Sequence, residues 1–270
     1  MIDSDNSTAG DNSRIGINTS DQEARSFVSR ALDFSRQPTK SNSLYVTLTF
    51  AQSLDGKIAL PNQRLHLSGP QSMQMTHWMR ASHDGILVGI GTVLTDDPRL
   101  NARLVLPIDQ PGHPRPIVLD PRLRFPTDAR LLQNNRDNMP WIVTGPQHDR
   151  YRRAELEALG AHVVVVDLCD DMGRPRVSDV LKELAQRGIR HLMVEGGAQI
   201  IQAFLESQLV DSLVVTIAPA LVGSRGVPAV PASDGIQALK IVPRAYEQFG
   251  VDVVLAADTD TDTDTDQRMC

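Results

Sequence analysis

The residues best suited to chemistry lie in two glycine-bearing stretches. In Val194-Glu195-Gly196-Gly197-Ala198-Gln199 a carboxylate is followed at once by two glycines. Ala198, Ile200, Ile201, Phe204 and Leu205 then recur at helical spacing. A strand that passes into a helix through glycines leaves main-chain N–H groups unpaired at the helix start. Those donors and the helix dipole suit a phosphate, and no side chain blocks its approach. Two glycines are fewer than a full GxGxxG, and a Gly-Gly pair also serves as a plain turn. Glu195 at the strand end can accept from sugar hydroxyls or assist a proton transfer, and it can equally cap the following helix.

The second stretch runs from Ile90 to Arg103. Gly89 and Gly91 let backbone approach a ligand closely. Thr92 and Asp96 are four apart, so one helical turn puts them on one side. Arg103 can hold a phosphate with its planar fork. Asp96-Asp97-Pro98 reads equally well as a turn.

The sequence has no GxSxG, Walker loop, HExxH or kinase motif set. The zinc-deaminase pattern is missing, because the chain has only Cys169 and Cys270. No metal site is expected. His77 has no His or Cys at metal spacing and reads as a helix-face residue, and His66 as a loop residue. A phosphate-friendly turn without a nucleophile or metal fits an enzyme whose cofactor carries the chemistry, hydride transfer from a nicotinamide being the leading case.

These stretches need a scaffold. The chain has 270 residues, 41% of them apolar, enough for a sizeable core. No run approaches a membrane span, and the polar N-terminus lacks the basic-then-apolar order expected of a signal peptide. Two cysteines fit a reducing compartment, and a cytoplasmic location is expected. The net charge is −6, but residues 258–270 hold five Asp and one Arg. The remainder has 26 basic and 28 acidic residues, with no basic stripe for nucleic acid.

In order, residues 1–19 are polar and expected to be disordered. From a Ser20 cap, Ala24, Phe27, Val28, Ala31 and Leu32 form one helical face. A linker follows at Pro38–Ser43. Leu44–Ala51 reads as a strand that leads through the Asp55-Gly56 turn, with Lys57 beside it, into a short strand. Ser68 is expected to cap a helix with Pro70 in its first turn and reaching Ser82. Strands are expected at Asp84–Gly89, Ile117–Asp120, Trp141–Thr144, His162–Asp167 and His191 onward, with helices at His148–Leu159 and Val177–Arg187. Gly188 ends the latter. The alternation implies a largely parallel sheet. The arginines after residue 148 follow a strand end, where a cofactor 2′-phosphate or plain solvent would meet them. Asp211–Ala218 is a further strand. Leu239–Tyr246 and Phe249–Ala257, joined by Glu247-Gln248, suggest a hairpin. Asp258–Asp266 alternates Asp and Thr and is expected to be disordered.

Several motifs, taken in order, resemble a known family. They are Ser53-Leu54-Asp55-Gly56-Lys57-Ile58-Ala59, Leu67-Ser68-Gly69, Gly91 through Leu100, Val194-Glu195-Gly196-Gly197, and Leu209-Val210-Asp211 with Ile217-Ala218-Pro219. The set is similar to the riboflavin-pathway reductases, the C-terminal domain of bacterial bifunctional RibD and its stand-alone fungal and archaeal relatives. The missing deaminase half fits the stand-alone form. The chain departs from bacterial relatives at Arg64 and His66.

The resemblance implies a dihydrofolate-reductase-like α/β fold: a mixed, mostly parallel sheet flanked by helices, closed by an antiparallel hairpin. It implies NADPH as cofactor, a homodimer, and reduction of the ribosylamino group of a phosphorylated pyrimidine to ribitylamino through an open-chain imine. Thr92, Asp96, Gly196, Gly197, Ala198 and Gln199 would contact the cofactor. Leu100, Arg103 and Glu195 would face the substrate, with Glu195 the catalytic candidate. The expected division is an extension over 1–43, a reductase domain over 44–257 and an acidic tail over 258–270. A reductase of another pterin- or folate-like substrate, and a non-catalytic nucleotide-binding sensor, stay open.

Overall fold

A continuous apolar run, Leu192-Met193-Val194, puts β7, His191–Glu195, inside a nine-stranded sheet in the computed structural model of the chain. The structure describes residues 19–32, 34, 38, 44–61, 65–105, 112–133, 138–167, 170, 173–230 and 239–259. Arg64, both cysteines and residues 260–270 lie outside them. β1 (Tyr45–Ser53) flanks β7 on one side and β3 (Gly85–Gly89) on the other, both parallel to it. Beyond β3 follow β4 (Arg115–Leu119), β5 (Trp141–Thr144) and β6 (His162–Val165), also parallel. Beyond β1 come parallel β8 (Ser212–Ala218), then antiparallel β11 (Asp252–Thr259) and β10 (Ile241–Phe249). β2 (Lys57–Ala59) and β9 (Val227–Pro228) form a separate small pair. The expected mixed, mostly parallel sheet with a C-terminal hairpin is therefore present.

Strand alternation divides the core. Leu192 and Val194 of β7 pack with Leu48, Leu87 and Ile117 under α5 (Val177–Gln186) and α6 (Ala198–Ser207). Met193 faces the other way, toward α1 (Thr19–Ala31) and α2 (Pro70–Ala81). On that same face Ile86, Val88, Val118 and Ile142 pack with α3 (Ile90–Asp96), α4 (Arg150–Ala158) and the segment around Phe125 and Leu131. Both faces of the parallel strands are thus covered, which explains their near-continuous apolar runs.

The α1 face read from Ala24, Phe27, Val28, Ala31 and Leu32 is buried as expected. Phe27 meets Phe249 edge-on at 5.4 Å, and Asp21 Oδ1 accepts from Trp78 Nε1 at 2.7 Å. Ser20 is not the cap: α1 begins at Thr19, and Ser20 Oγ donates to Gln74 Oε1 instead. The loop from Ile90 contains α3, so Thr92 and Asp96 do share a helical turn.

Three other boundaries differ from expectation. The hairpin turns at Gly250-Val251, with Phe249 opposite Asp252, and Glu247-Gln248 continue β10. Gly250, at φ 65°, supplies the left-handed residue a two-residue turn requires, which Glu and Gln supply poorly. Asp258 and Thr259 extend β11 rather than opening a disordered tail, because Asp258 pairs with Arg244 at 3.3 Å and Thr259 pairs with Ile241 on β10. Ser68 does not cap α2, although Pro70 does start it; the cap position is Gly69.

The cap function comes from across the fold. The Asp252 carboxylate, buried in the hairpin, accepts from Gly69 N at 2.7 Å and from Ser72 Oγ. Losing a cap costs about 1 kcal/mol, and each hydrogen bond to a buried charge about 1.5–3. Asp252→Ala is expected to lower stability by about 2–3 kcal/mol in urea unfolding. A loss under about 0.5 kcal/mol would mean that water replaces the carboxylate.

Candidate active site

Strand order opens a crevice at the carboxyl ends of β7 and β3. From β7 the chain leaves through α6 toward β8; from β3 it leaves through α3 toward β4. Neighbouring connections that depart in opposite directions leave a gap between them, and open α/β sheets bind ligands at such a switch point. The two glycine-bearing stretches line this gap. A Cβ built on Gly197 would meet only Thr92 Oγ1, at 3.5 Å. The tertiary structure therefore brings Thr92 and Gly197 together across 105 residues.

The two turns differ in what their glycines do. Gly196 packs against α6: a Cβ there would lie 2.4 Å from Ile201 Cγ1. Gly89 is similarly confined, 2.8 Å from Ile200 Cγ1. These two let α6 approach the sheet. Gly91, by contrast, has open space beside it. Gly197 is the N-cap of α6 with no side chain capping it. Its carbonyl accepts from Ile200 and Ile201, while the N–H groups of Ala198 and Gln199 meet no protein acceptor among the described residues. Glu195 therefore does not cap α6.

Glu195 has a different partner. Arg80, from α2, donates Nε to Oε1 and Nη2 to Oε2, both at 2.7 Å. The side chains are 11% and 21% exposed, so the pair is largely withdrawn from water. Arg80 Nη1 reaches the Asn101 carbonyl at 3.3 Å. Asn101 Oδ1 in turn accepts from Arg103 Nη1 at 3.2 Å. Partial desolvation of an otherwise exposed side chain, then the neighbouring cations Arg80 and Arg99, lower the Arg103 pKa, opposed by Glu195. Two guanidinium groups, Arg80 and Arg103, thus bear on one carboxylate, with Arg99 close enough to act on Arg103, leaving a local positive excess in a chain of net negative charge. An anion such as a phosphate would relieve it.

Nothing in the sequence sets Arg80 apart from an ordinary helix residue. Its helix position carries no signal of a partner 115 residues away; an arginine on an otherwise buried helix face was the available hint. Asp96 lies on α3 with Thr92, partly exposed. Leu100 is 1% exposed and packs in the core beside Ile86 and Phe125, so only its main chain can meet a ligand. His66 is exposed.

The remaining candidates are structural. The Asp55 carboxylate accepts from Ser53 Oγ at 2.6 Å, Val222 N at 3.0 Å and Gly223 N at 2.7 Å. Those bonds, that of Ser53 first, pull its pKa down to about 2. Asp55 thus completes its own turn, as expected, and also ties down the loop after β8. Lys57 sits in β2, its N–H bonded to Ser53 Oγ. Asp97 binds Arg130 through its main-chain N at 2.9 Å and its guanidinium at 3.2 Å. On α4, Arg152 turns in to the Leu123 and Phe125 carbonyls and Arg153 pairs with Glu157. Of the three arginines there only Arg150 is left facing solvent without a partner among the described residues.

Comparison with known proteins agrees with this layout. The family model for the RibD C-terminal domain matches residues 44–255. A protein from Debaryomyces hansenii named 2,5-diamino-6-ribosylamino-4(3H)-pyrimidinone 5′-phosphate reductase is 41% identical over 204 residues, covering 71% of this chain and 81% of its own. The enzyme of that name from Archaeoglobus fulgidus is 33% identical, covering 73% and 89%. The Saccharomyces cerevisiae riboflavin biosynthesis reductase Rib7 superposes with a TM-score of 0.69 at 28% identity, over 88% of this chain and all of that one. Acinetobacter baumannii RibD gives 0.70 at 26% identity, over 83% of this chain and 60% of that one. The sheet and its flanking helices are the dihydrofolate-reductase-like arrangement of these reductases.

Proposed function

The chain belongs to the RibD C-terminal domain family, and from that membership we propose that it reduces 2,5-diamino-6-ribosylamino-4(3H)-pyrimidinone 5′-phosphate to the ribitylamino product in riboflavin biosynthesis, with NADPH as donor. One observation carries the reading: a glycine-walled crevice and the Glu195 carboxylate with the Arg80 and Arg103 guanidinium groups meet at the carboxyl end of β7. The crevice supplies main-chain donors, and the cluster supplies cations for a phosphorylated sugar.

Residues at the crevice fit a dinucleotide. Gly91 and Gly197 present unobstructed main chain, and the Ala198 and Gln199 N–H groups are available to a pyrophosphate. Gly196 acts indirectly, by letting α6 close on the sheet. Thr92 and Asp96 offer a hydroxyl and a carboxylate from α3 to the cofactor's hydroxyl or amide groups. When bound, the cofactor supplies the hydride.

The protein's own part is position and electrostatics. Arg103 and Arg80 hold the substrate phosphate. Glu195, the proposed catalytic residue, is fixed by Arg80, yet each of its oxygens keeps a further lone pair for a sugar hydroxyl. Fixing the carboxylate before binding removes reorganisation from the chemical step. Leu100 contributes its main chain only.

The reductase domain is proposed to begin at residue 44 and to run to Thr259, two residues past the expected 257 because Asp258 and Thr259 belong to β11, with 1–43 as an extension and 260–270 as an acidic tail. A homodimer is proposed; β10 is the sheet's outer strand, with Tyr246 and Val242 exposed, and bare strand edges invite pairing. Light scattering at the dimer mass would support it. No described helix is long and apolar enough to cross a membrane. A cytoplasmic location is proposed.

The deciding experiment is NADPH oxidation by the purified chain with the pyrimidine phosphate, beside an active homologous enzyme. Absence of turnover would refute the reading. Turnover of a folate or pterin alone would favour a different substrate on the same fold. NADPH binding without any turnover would favour a nucleotide sensor. A narrower test is Arg103→Ala. Because Arg103 is exposed, stability should stay within about 0.5 kcal/mol. Loss of a charge-assisted phosphate contact of about 1.5–3 kcal/mol should raise KM by about tenfold or more. An unaltered KM would remove Arg103 from the pocket.

A further inference from the structure

His77 is completely buried, yet neither ring nitrogen has a hydrogen-bond partner. An unpaired buried polar group costs about 1–3 kcal/mol, so native structures keep few without a reason. His77 lies one turn before Arg80 on α2, on the same face. Arg80, Arg103 and His113 bear on it electrostatically, and the Asn101 main chain approaches the ring closely enough to act as an acceptor toward it, short of a formed hydrogen bond. Burial first, then the Arg80 and Arg103 guanidinium groups, depress its pKa to about 3, opposed by the Asn101 main chain, so the ring is neutral at physiological pH. A neutral imidazole carries one N–H donor.

The segment that carries Asn101 stores strain as well. Asp97 has φ 40° and Leu100 φ 50°, left-handed conformations that cost non-glycine residues about 1–3 kcal/mol. Leu100 is anchored in the core, and Asn101 is held by a single long bond from Arg80 at 3.3 Å and by Arg103. A strained segment faces an unused donor, and a guanidinium arm is occupied where the donor could serve.

We infer that His77 is a positioning residue for the sugar phosphate: on ligand binding its ring N–H takes over the Asn101 carbonyl, and Arg80 Nη1 turns from that carbonyl to the ligand. The hydrogen bonds balance. Asn101 exchanges one donor for another, His77 completes the bond that its approach to Asn101 only begins, and Arg80 keeps Glu195 through Nε and Nη2. This rests on the placement of the phosphorylated sugar among Arg80, Arg103 and Glu195 proposed above.

The test compares His77→Leu and His77→Gln with the full wild-type chain. Ribose 5-phosphate alone is titrated by calorimetry, and turnover of the pyrimidine phosphate is measured separately. His77→Leu removes an unpaired polar group without leaving a large cavity, so it should unfold at the same or a higher urea concentration. It should bind ribose 5-phosphate about tenfold more weakly, the worth of one hydrogen bond. KM should rise by a similar factor, with kcat within about twofold and NADPH affinity unchanged. His77→Gln, which keeps an N–H donor, should recover most of the affinity. Equal ribose 5-phosphate binding by wild type and His77→Leu would overturn the inference, as would His77→Gln as weak as His77→Leu. Failure of wild type to bind ribose 5-phosphate would also overturn it. Loss of NADPH affinity and stability in His77→Leu would make His77 a packing residue. If wild type binds ribose 5-phosphate but turns over no pyrimidine phosphate, the functional reading falls, while the calorimetry still decides the role of His77.

Discussion

Gly197→Trp is expected to abolish NADPH binding and leave the chain folded. The space into which a side chain at 197 would grow is bounded only by Thr92 Oγ1, at 3.5 Å. A methyl group fits there in ordinary contact, so Gly197→Ala should bind NADPH within a few-fold of wild type. An indole would instead occupy the gap between α3 and α6 and cover the Ala198 and Gln199 N–H groups. Losing two charge-assisted bonds at about 1.5 kcal/mol each already weakens binding by about 100-fold. Fluorescence titration with NADPH measures this, and circular dichroism with thermal unfolding checks the fold. NADPH affinity in the Trp variant equal to that of wild type would remove the crevice from the cofactor's path. Gly196→Ala makes a contrasting control. Its Cβ would lie 2.4 Å from Ile201 Cγ1, so it should lose stability first and affinity only as a consequence.

The second large effect is expected at Arg80. Arg80→Met leaves the Glu195 carboxylate in its withdrawn position without either of its 2.7 Å bonds. Removing one partner of a buried pair costs about 3–5 kcal/mol. Residual exposure of 11% and 21% softens this to about 2–4 kcal/mol here. Replacing both partners by apolar residues, as in Arg80→Met with Glu195→Leu, should return much of that stability, because no unpaired charge remains. Turnover should not return, since the double variant lacks both the substrate carboxylate and a phosphate cation. A double-mutant cycle in urea, read beside NADPH oxidation, separates the two roles. If Arg80→Met were as stable as wild type, the pair would be dispensable to the fold. If the double variant stayed active, neither residue would belong to the site.

The strands, the helices and the two glycine turns were legible because each is a local pattern. The short apolar run at His191–Glu195, the five-residue face of α1, Pro70 at a helix start and Gly188 at a helix end each depend on neighbours within a turn or two. Thr92 with Asp96, and the bare helix start at Gly197, belong to the same class. The family motifs add order and spacing to these local signals, and the matched span of 44–255 agrees with them.

Partnership across the sheet was not legible. Arg80 and Glu195 are 115 residues apart, and Gly69 and Asp252 are 183 apart. Nothing within a few residues of either end names the other. They meet because β7 inserts between β1 and β3 and because the hairpin folds back beside β8, and many strand orders satisfy the same alternation. The sequence by itself therefore determined which segments are strand, helix and ligand-facing turn, because hydrophobic period and backbone freedom act over a few residues. Only the tertiary structure decided which charges face one another, that Leu100 is core, and that His77 is buried without a partner, because those outcomes depend on which distant elements share one end of the sheet.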